Sequence, residues 1–355
     1  MKTLLLRSFA VTLYWSGLLD LLRFLGRKNP KIVLYHIVSD HETPFVRGTD
    51  IWIHRKRFIR HMEYIRKHYT VISLRTLIAG LMQGTVPPRS LVITFDDGFA
   101  DNYSFAYPYL KQHNIPATIF LASDCITKAK PIWLQELCYL VNTIRVDRIA
   151  SALQNGKANP GQPRFSLNGQ SSNNLHKHIE DYLAFGVSKE RRDEILADLY
   201  RRFQLDREKI FREARLFLDL DQIHQMSQDG IGFGSHGASH TPFSAMSAEE
   251  QEREVLDSKA AIQEIIGPEF VPFAYPFGTE RHFTHSSEEI VQRAGYSCAL
   301  TNIPYLNEED SSIYKLARIN VRNIAVPIFA FMLERAVFKA LIGLGARYCG
   351  RPTGA

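Results

Sequence analysis

Short apolar runs rich in β-branched residues alternate along the chain with longer stretches in which apolar positions recur every three or four residues. Lys31–Tyr35, Leu91–Phe95, Pro116–Leu121, Gly230–Gly234 and Tyr296–Leu300 read as strands. The first three are almost continuously apolar, as expected of strands buried on both faces of a parallel sheet. Tyr69–Ser73 is also strand-like. Between the strands, Phe58–His68 places Phe58, Met62 and Ile65 on one helical side, and a helix starting at Leu74 runs to about Gly80. Tyr103–Gln112 reads as a helix capped by Asp101 and bent or shortened at Pro108. Ser247-Ala248-Glu249-Glu250 has capping-box spacing, which predicts a helix over Ala248–Ile266 stopped by Gly267-Pro268. Glu288–Ala294 is a further helix, ended by Gly295. Strands alternating with helices indicate parallel β/α units.

The alternation breaks over residues 124–225. Helical stretches, Trp133–Ile149 and Lys189–Phe203, flank a polar segment, Asn155–Asn174, rich in Gly, Asn, Gln and Ser. The expected organisation is therefore a barrel from 31–123 and 226–325, with 124–225 as a helical insertion carrying a mobile loop and no catalytic constellation. His176 and His178 are expected to be solvated. Residues 1–30 and 326–355 are expected as amphipathic terminal segments. In the first, Arg7, Asp20 and Arg23 interrupt the apolar runs, so no stretch of about twenty apolar residues is available to span a bilayer. In the second, Ile328–Ile342 is apolar with sparse basic residues. It is expected either to dock on the body or to lie at a membrane interface beside the N-terminal helix.

The 355-residue chain is long enough for one large core with an insertion, and 45% hydrophobic with 23% charged residues excludes a disordered chain. The formal net charge of +6 falls largely near the ends, at Arg23, Arg27, Lys28 and Lys31 and at Arg335, Lys339, Arg347 and Arg351. Without a basic stripe interleaved with aromatics, no nucleic-acid partner is expected. Peripheral contact with an anionic membrane through the terminal helices is expected instead. Cys125, Cys138, Cys298 and Cys349 form no C-x-x-C pair and read as free thiols. With no clear signal-peptide cleavage site, a cytoplasmic location, peripheral on the inner membrane face, is expected.

The candidate chemistry sits at strand ends. Asp96-Asp97-Gly98 follows Leu91–Phe95, and Gly98 allows a turn tight enough for both acids to face one cleft. His236 and His240, four residues apart after Gly230–Gly234, are ligand types that suit zinc together with an Asp. Ile93-Thr94-Phe95-Asp96-Asp97-Gly98 with Ser235-His236-Gly237-Ala238-Ser239-His240 resembles the NodB-like polysaccharide deacetylases of the carbohydrate esterase class. The resemblance implies an α/β fold, a distorted β/α barrel with fewer than eight repeats. It implies Asp96 as general base, and Asp97, His236 and His240 as ligands of zinc or another divalent metal. The implied reaction is removal of N-acetyl groups from a sugar or polysaccharide. An O-acetyl esterase, a non-sugar amidase and a non-catalytic carbohydrate-binding protein are the alternatives.

Some family members carry Tyr-His at the N-terminal edge of the domain, which makes His36, in Leu34-Tyr35-His36, the implied general acid. Phe273-Ala274-Tyr275-Pro276-Phe277-Gly278 resembles a family motif reading Arg-x-Pro-Tyr, with Ala274 where the Arg belongs and Phe277 where the Tyr belongs. The tether that this Arg gives the base must come from elsewhere or be missing. Arg318, in Leu316-Ala317-Arg318-Ile319-Asn320-Val321, is the candidate, with a surface salt bridge as its alternative role. The backbone N–H near Phe277 remains a candidate oxyanion donor.

Overall fold

The apolar runs become parallel strands because helices cover both of their faces. The computed structural model describes residues 2–155, 165–166, 174–308 and 311–343, with side chains from Ser8 onward. In chain order, α1 (Lys2–Trp15) and α2 (Leu18–Leu25) precede β1 (Lys31–Tyr35). A small parallel pair, β2 (Ile37–Ser39) and β3 (Trp52–His54), leads into α3 (Arg55–His68). Then come β4 (Thr70–Val71), α4 (Leu74–Gln83) and β5 (Ser90–Phe95). A π-helical turn over Asn102–Ala106 runs into α5 (Tyr107–Gln112), and β6 (Thr118–Leu121) follows. The insertion comprises α6 (Ser123–Thr127), α7 (Trp133–Ile144), α8 (Val146–Gln154), α9 (Leu175–Phe185), α10 (Lys189–Arg202) and α11 (Arg207–Ala214). The barrel resumes with α12 (Leu220–Gln228), β7 (Gly232–Ser235), α13 (Ala248–Ile266), β8 (Pro272–Ala274), α14 (His285–Arg293), β9 (Cys298–Leu300) and β10 (Ile319–Asn320). The last element is α15 (Val326–Leu341).

The main sheet has the order β10-β1-β5-β6-β7-β8-β9, with β4 also on β5, and every pairing is parallel. The edges β9 and β10 are linked through a parallel bridge between Leu300 and Leu316. The result is a distorted β/α barrel. Its register aligns the carboxyl ends of the strands: Tyr35 lies opposite Phe95, and Leu121 opposite Ser235. The residues that follow these ends, His36, Asp96 and His236, therefore emerge at one rim.

Three local expectations are corrected. Asp101 makes no capping bond, and its own backbone is already helical. Pro108 lies in the first turn of α5 and starts this helix, because a missing N–H costs nothing there. The helix expected over Trp133–Ile149 breaks into α7 and α8 at Arg145, whose φ is +88°. Ser247 caps α13 with a full capping box, and this helix has the expected limits.

The insertion has its own apolar cluster, built around Trp133, Leu137, Ile149, Ile179, Leu196 and Tyr200. Inside it, buried Glu136 receives a two-pronged bond from Arg207 at 2.6 and 2.7 Å. His178 is not simply solvated: its Nε2 bonds the Ser166 carbonyl at 2.8 Å and its ring packs on Phe165. His176 is likewise half-buried. Most of the polar segment, 156–164 and 167–173, lies outside the described residues.

The two terminal segments meet. α15 packs against α1, α2 and α3, with Phe9 of α1 against the rings of Phe331 and Phe338. Glu334 of α15 is fully buried, accepts from the Tyr69 hydroxyl and pairs with Lys31 at 3.4 Å. Arg23 is 5% exposed and donates to the Tyr64 hydroxyl. Arg23 and Lys31 are thus anchors inside the body, not part of a basic surface. Cys125, Cys138 and Cys298 are buried free thiols, while Arg347, Cys349 and Arg351 lie outside the described residues.

Candidate active site

Parallel pairing sets the rim of the site. Asp96 N–H donates to Tyr35 O at 3.0 Å, which fixes the first acid beside His36. His236 N–H donates to Leu121 O at 2.8 Å. After β5 the chain takes two consecutive left-handed residues, Asp97 at φ +70° and Gly98 at φ +72°. The reversal needs both of them. At Gly98 a Cβ would also lie 2.6 Å from Leu121 Cδ2, so any other residue would have to displace that side chain as well as hold φ +72°.

Asp97, His236 and His240 are brought together, all buried, with one ligand atom from each within 4.8 Å of the others. Asp97 Oδ1 faces His240 Nε2 at 3.3 Å and His236 Nε2 at 3.6 Å. His236 Nδ1–H donates to the Ala274 carbonyl at 2.7 Å. That bond leaves a bare lone pair on Nε2, aimed at a carboxylate oxygen that has no hydrogen-bond partner. Lone pairs converging in a dry pocket repel unless a positive charge lies between them. The donor set, one carboxylate and two imidazoles, fits a divalent cation of the zinc type.

Asp96 is held separately. Arg318 is 1% exposed and grips both oxygens of Asp96, Nη1 to Oδ1 at 2.7 Å and Nη2 to Oδ2 at 2.8 Å. Its Nε donates to Thr301 O at 2.9 Å, which fixes the plane of the fork. Burial pushes the Asp96 carboxyl up, but Arg318 and His236 outweigh it and leave it below the ordinary carboxylate value. Burial likewise acts against Asp97, and His240, His36 and His236 together hold it well below that range. Burial lowers the His236 imidazole to about 4. It also lowers His36, against the opposing pull of Asp97 and Asp96. His36 is thus within electrostatic reach of both acids, with its Nδ1 buried and unpartnered. Asn102 Nδ2 donates to the His36 carbonyl at 2.7 Å and holds its backbone.

Phe277 takes φ +61°, and its ring packs 4.9 Å from His240 and stacks on His282. His240 is itself left-handed, at φ +54°. Local sequence patterns did not reveal the groups that hold this loop. Glu254, buried on α13, accepts from Ala238 N at 2.9 Å, Ser239 N at 2.5 Å and Ser239 Oγ at 2.8 Å. Its signal was an acid on the face of α13 that also buries Gln251, Val255, Ser258 and Ile262. Trp133 Nε1–H donates to the His240 carbonyl at 3.0 Å, and Arg192 Nη2 to Thr241 Oγ1 at 2.7 Å. Leu218 N–H donates to Gly98 O, and Ala100 N–H to Leu216 O, both at 2.8 Å. The insertion and the segment that leaves it therefore brace both loops bearing the Asp97, His236 and His240 side chains. Trp133→Phe removes the bond to His240, worth about 1 kcal/mol, and some of the contact that the buried indole makes with Arg192 and Phe277. It is expected to weaken zinc binding roughly five- to tenfold, measured by competition with a chromogenic chelator. Glu254→Ala removes three bonds and is expected to cost about 10–100-fold in the same assay.

A family model described as polysaccharide deacetylase matches residues 83–149 and 188–299, half of the chain. The chain belongs to the polysaccharide deacetylase family. The two matched segments carry Asp96, Asp97, His236, His240 and Phe277, and skip 150–187 inside the insertion. His36 and Arg318 lie outside them. A curated relative in Bacillus subtilis (strain 168), named "Putative polysaccharide deacetylase YxkH", is 21% identical over 292 residues, 82% of this chain and 70% of that protein. The structure of Streptococcus pyogenes deacetylase PplD in complex with acetate is similar in fold, with a TM-score of 0.57 at 16% identity, covering 86% of this chain and 98% of that one. A de-N-acetylase from Aggregatibacter actinomycetemcomitans gives a TM-score of 0.54 at 16% identity, covering 86% and 100%. Polysaccharide deacetylases are hydrolases, and membership makes an acetylated carbohydrate the expected substrate class.

Proposed function

We propose that the protein is a divalent-metal-dependent hydrolase that removes N-acetyl groups from a carbohydrate, with Asp96 as base and His36 as acid. The observation that carries this reading is the clamp of Arg318 on Asp96, placed against the converging lone pairs of Asp97, His236 and His240. When bound by those three residues, a divalent cation supplies Lewis acidity, which polarises a carbonyl and makes a water molecule more acidic. Asp96 stays ionised because Arg318 neutralises it, and it can take a proton from the attacking water. Its Oδ2 lies 3.6 Å from His236 Nε2, so base and ligand share one small volume. The backbone N–H of Phe277 is the proposed donor to the oxyanion of the acetyl group. His36, on the neighbouring strand end, gives a proton to the departing amine nitrogen, without which the C–N bond does not break.

The preference for N-acetyl over O-acetyl groups is supported by the name of the de-N-acetylase of similar fold. The test is acetate release from a panel of N- and O-acetylated glycans, before and after treatment with a chelator. Release from the N-acetylated members is expected, lost on chelation and restored by zinc. Release that survives complete metal removal sinks the metal reading, and release from O-acetyl substrates alone sinks the amide reading.

A further inference from the structure

The exposed apolar surface of this molecule is concentrated in one place. Of the twelve large hydrophobic side chains exposed among the described residues, nine lie on α1, on α2 or at the end of α15. Trp15 is 78% exposed, and Leu21 and Phe24 are each 50% exposed. α2 already satisfies the body with its inner face, where Leu19, Leu22 and Arg23 are buried. Its outer face is nevertheless apolar, with Leu18, Leu21, Phe24 and Leu25 all exposed. A surface helix that buries one apolar face and exposes a second, Asp20 being its one exposed charge, is built for an apolar medium on that second side. None of the described helices is long and apolar enough to cross a membrane, so this medium would be met side-on.

The charges flanking the layer have one sign. Arg27 and Lys28 follow α2, and Arg335 and Lys339 project from α15. The cleft alongside α15, which includes Ile328, Phe331, Met332, Arg335 and Lys339, has no acidic residue in its lining. Asp20, the acid of α2, is tied to Arg23 at 2.5 Å. A second copy meeting this face through a two-fold axis would set these cations against themselves. Residues 344–355, Leu-Gly-Ala-Arg-Tyr-Cys-Gly-Arg-Pro-Thr-Gly-Ala, hold only Leu344 and Tyr348 as large apolar side chains, too few to cover the layer, and add two more arginines. An anionic lipid surface satisfies both the apolar area and the sign of the charge.

We propose that the layer formed by α1, α2 and α15 docks the protein, without spanning, on the surface of an anionic phospholipid membrane. Trp15 sits at the water boundary, a position that Trp favours. The proposal rests on this surface alone and holds whatever the rim of the barrel catalyses. The test is co-sedimentation of the full chain with vesicles of phosphatidylcholine, with and without phosphatidylglycerol. Trp15 fluorescence serves as a second readout, since Trp133 is buried and Trp52 half-buried.

Wild type is expected to pellet with the phosphatidylglycerol vesicles and to show a blue shift. The triple variant Trp15→Ser/Leu21→Ser/Phe24→Ser removes only exposed apolar groups, and its circular dichroism should match wild type. Its partitioning is expected to fall about tenfold or more. Lys28→Glu/Arg335→Glu should lose binding to the anionic vesicles while keeping the fold. Wild type that stays in the supernatant, or a folded triple variant that binds equally, overturns the proposal. So does a concentration-dependent dimer that the triple variant abolishes, because a second copy would then own the face. Equal binding of wild type to pure phosphatidylcholine overturns the anionic requirement.

Discussion

Asp96→Asn is expected to release acetate at least about a hundredfold more slowly than wild type while still binding zinc. The change removes the proton acceptor and the counter-charge of buried Arg318, which lowers stability, but Asp97, His236 and His240 keep their own supports. Their mutual geometry depends on the Gly98 turn, on the Ala274 carbonyl and on Glu254, none of which involves the Asp96 side chain. Metal content and initial rate, measured on the same preparation, separate the two roles. A variant that has lost both metal and activity would mean that Asp96 is itself part of the donor set. A variant with full activity would remove it from the reaction.

Arg318→Met should produce the largest change in stability. The guanidinium and the carboxylate it grips are both almost fully buried, at 1% and 2% exposure. Removing one partner leaves Asp96 as an uncompensated buried anion, which typically costs about 3–5 kcal/mol. The measurement is the urea midpoint at neutral pH. The double variant Arg318→Met/Asp96→Asn should recover much of the loss, because no net charge then stays buried. Costs that simply add would show that Arg318 stabilises the fold independently of Asp96, through Thr301, Thr94 and Phe120. In that event the clamp would have no bearing on the ionisation of Asp96.

Much of the architecture was legible because parallel strands buried on both faces have no need to alternate. Val33, Ile93 and Ile119 stand in unbroken apolar runs, and the first two lead directly to His36 and Asp96. The capping box at Ser247 set the start of α13 through purely local bonds. Elements decided by longer-range packing were harder to read. Nothing local announces the reversal at Arg145, and the π-helical turn before α5 packs against β2 and α3. The site divides in the same way. Asp97, His236 and His240 stand in compact motifs, whereas Arg318 reaches Asp96 across 222 positions, and the tie from Trp133 to His240 spans 107. Contacts of this kind leave no spacing to detect. Arg318 came into view only because Ala274 stands where the family Arg belongs, and a surface salt bridge was the competing reading.

Asp97, His240 and Phe277 all hold a left-handed backbone that side chains other than glycine avoid, each at a cost of about 1–2 kcal/mol. The chain therefore carries conformational tension concentrated around the three converging lone pairs. Asparagine or glycine at these places would relax it, and descendants freed from the reaction could grow sturdier by adopting them. Robustness and chemistry here pull on the same few peptide units in opposite directions.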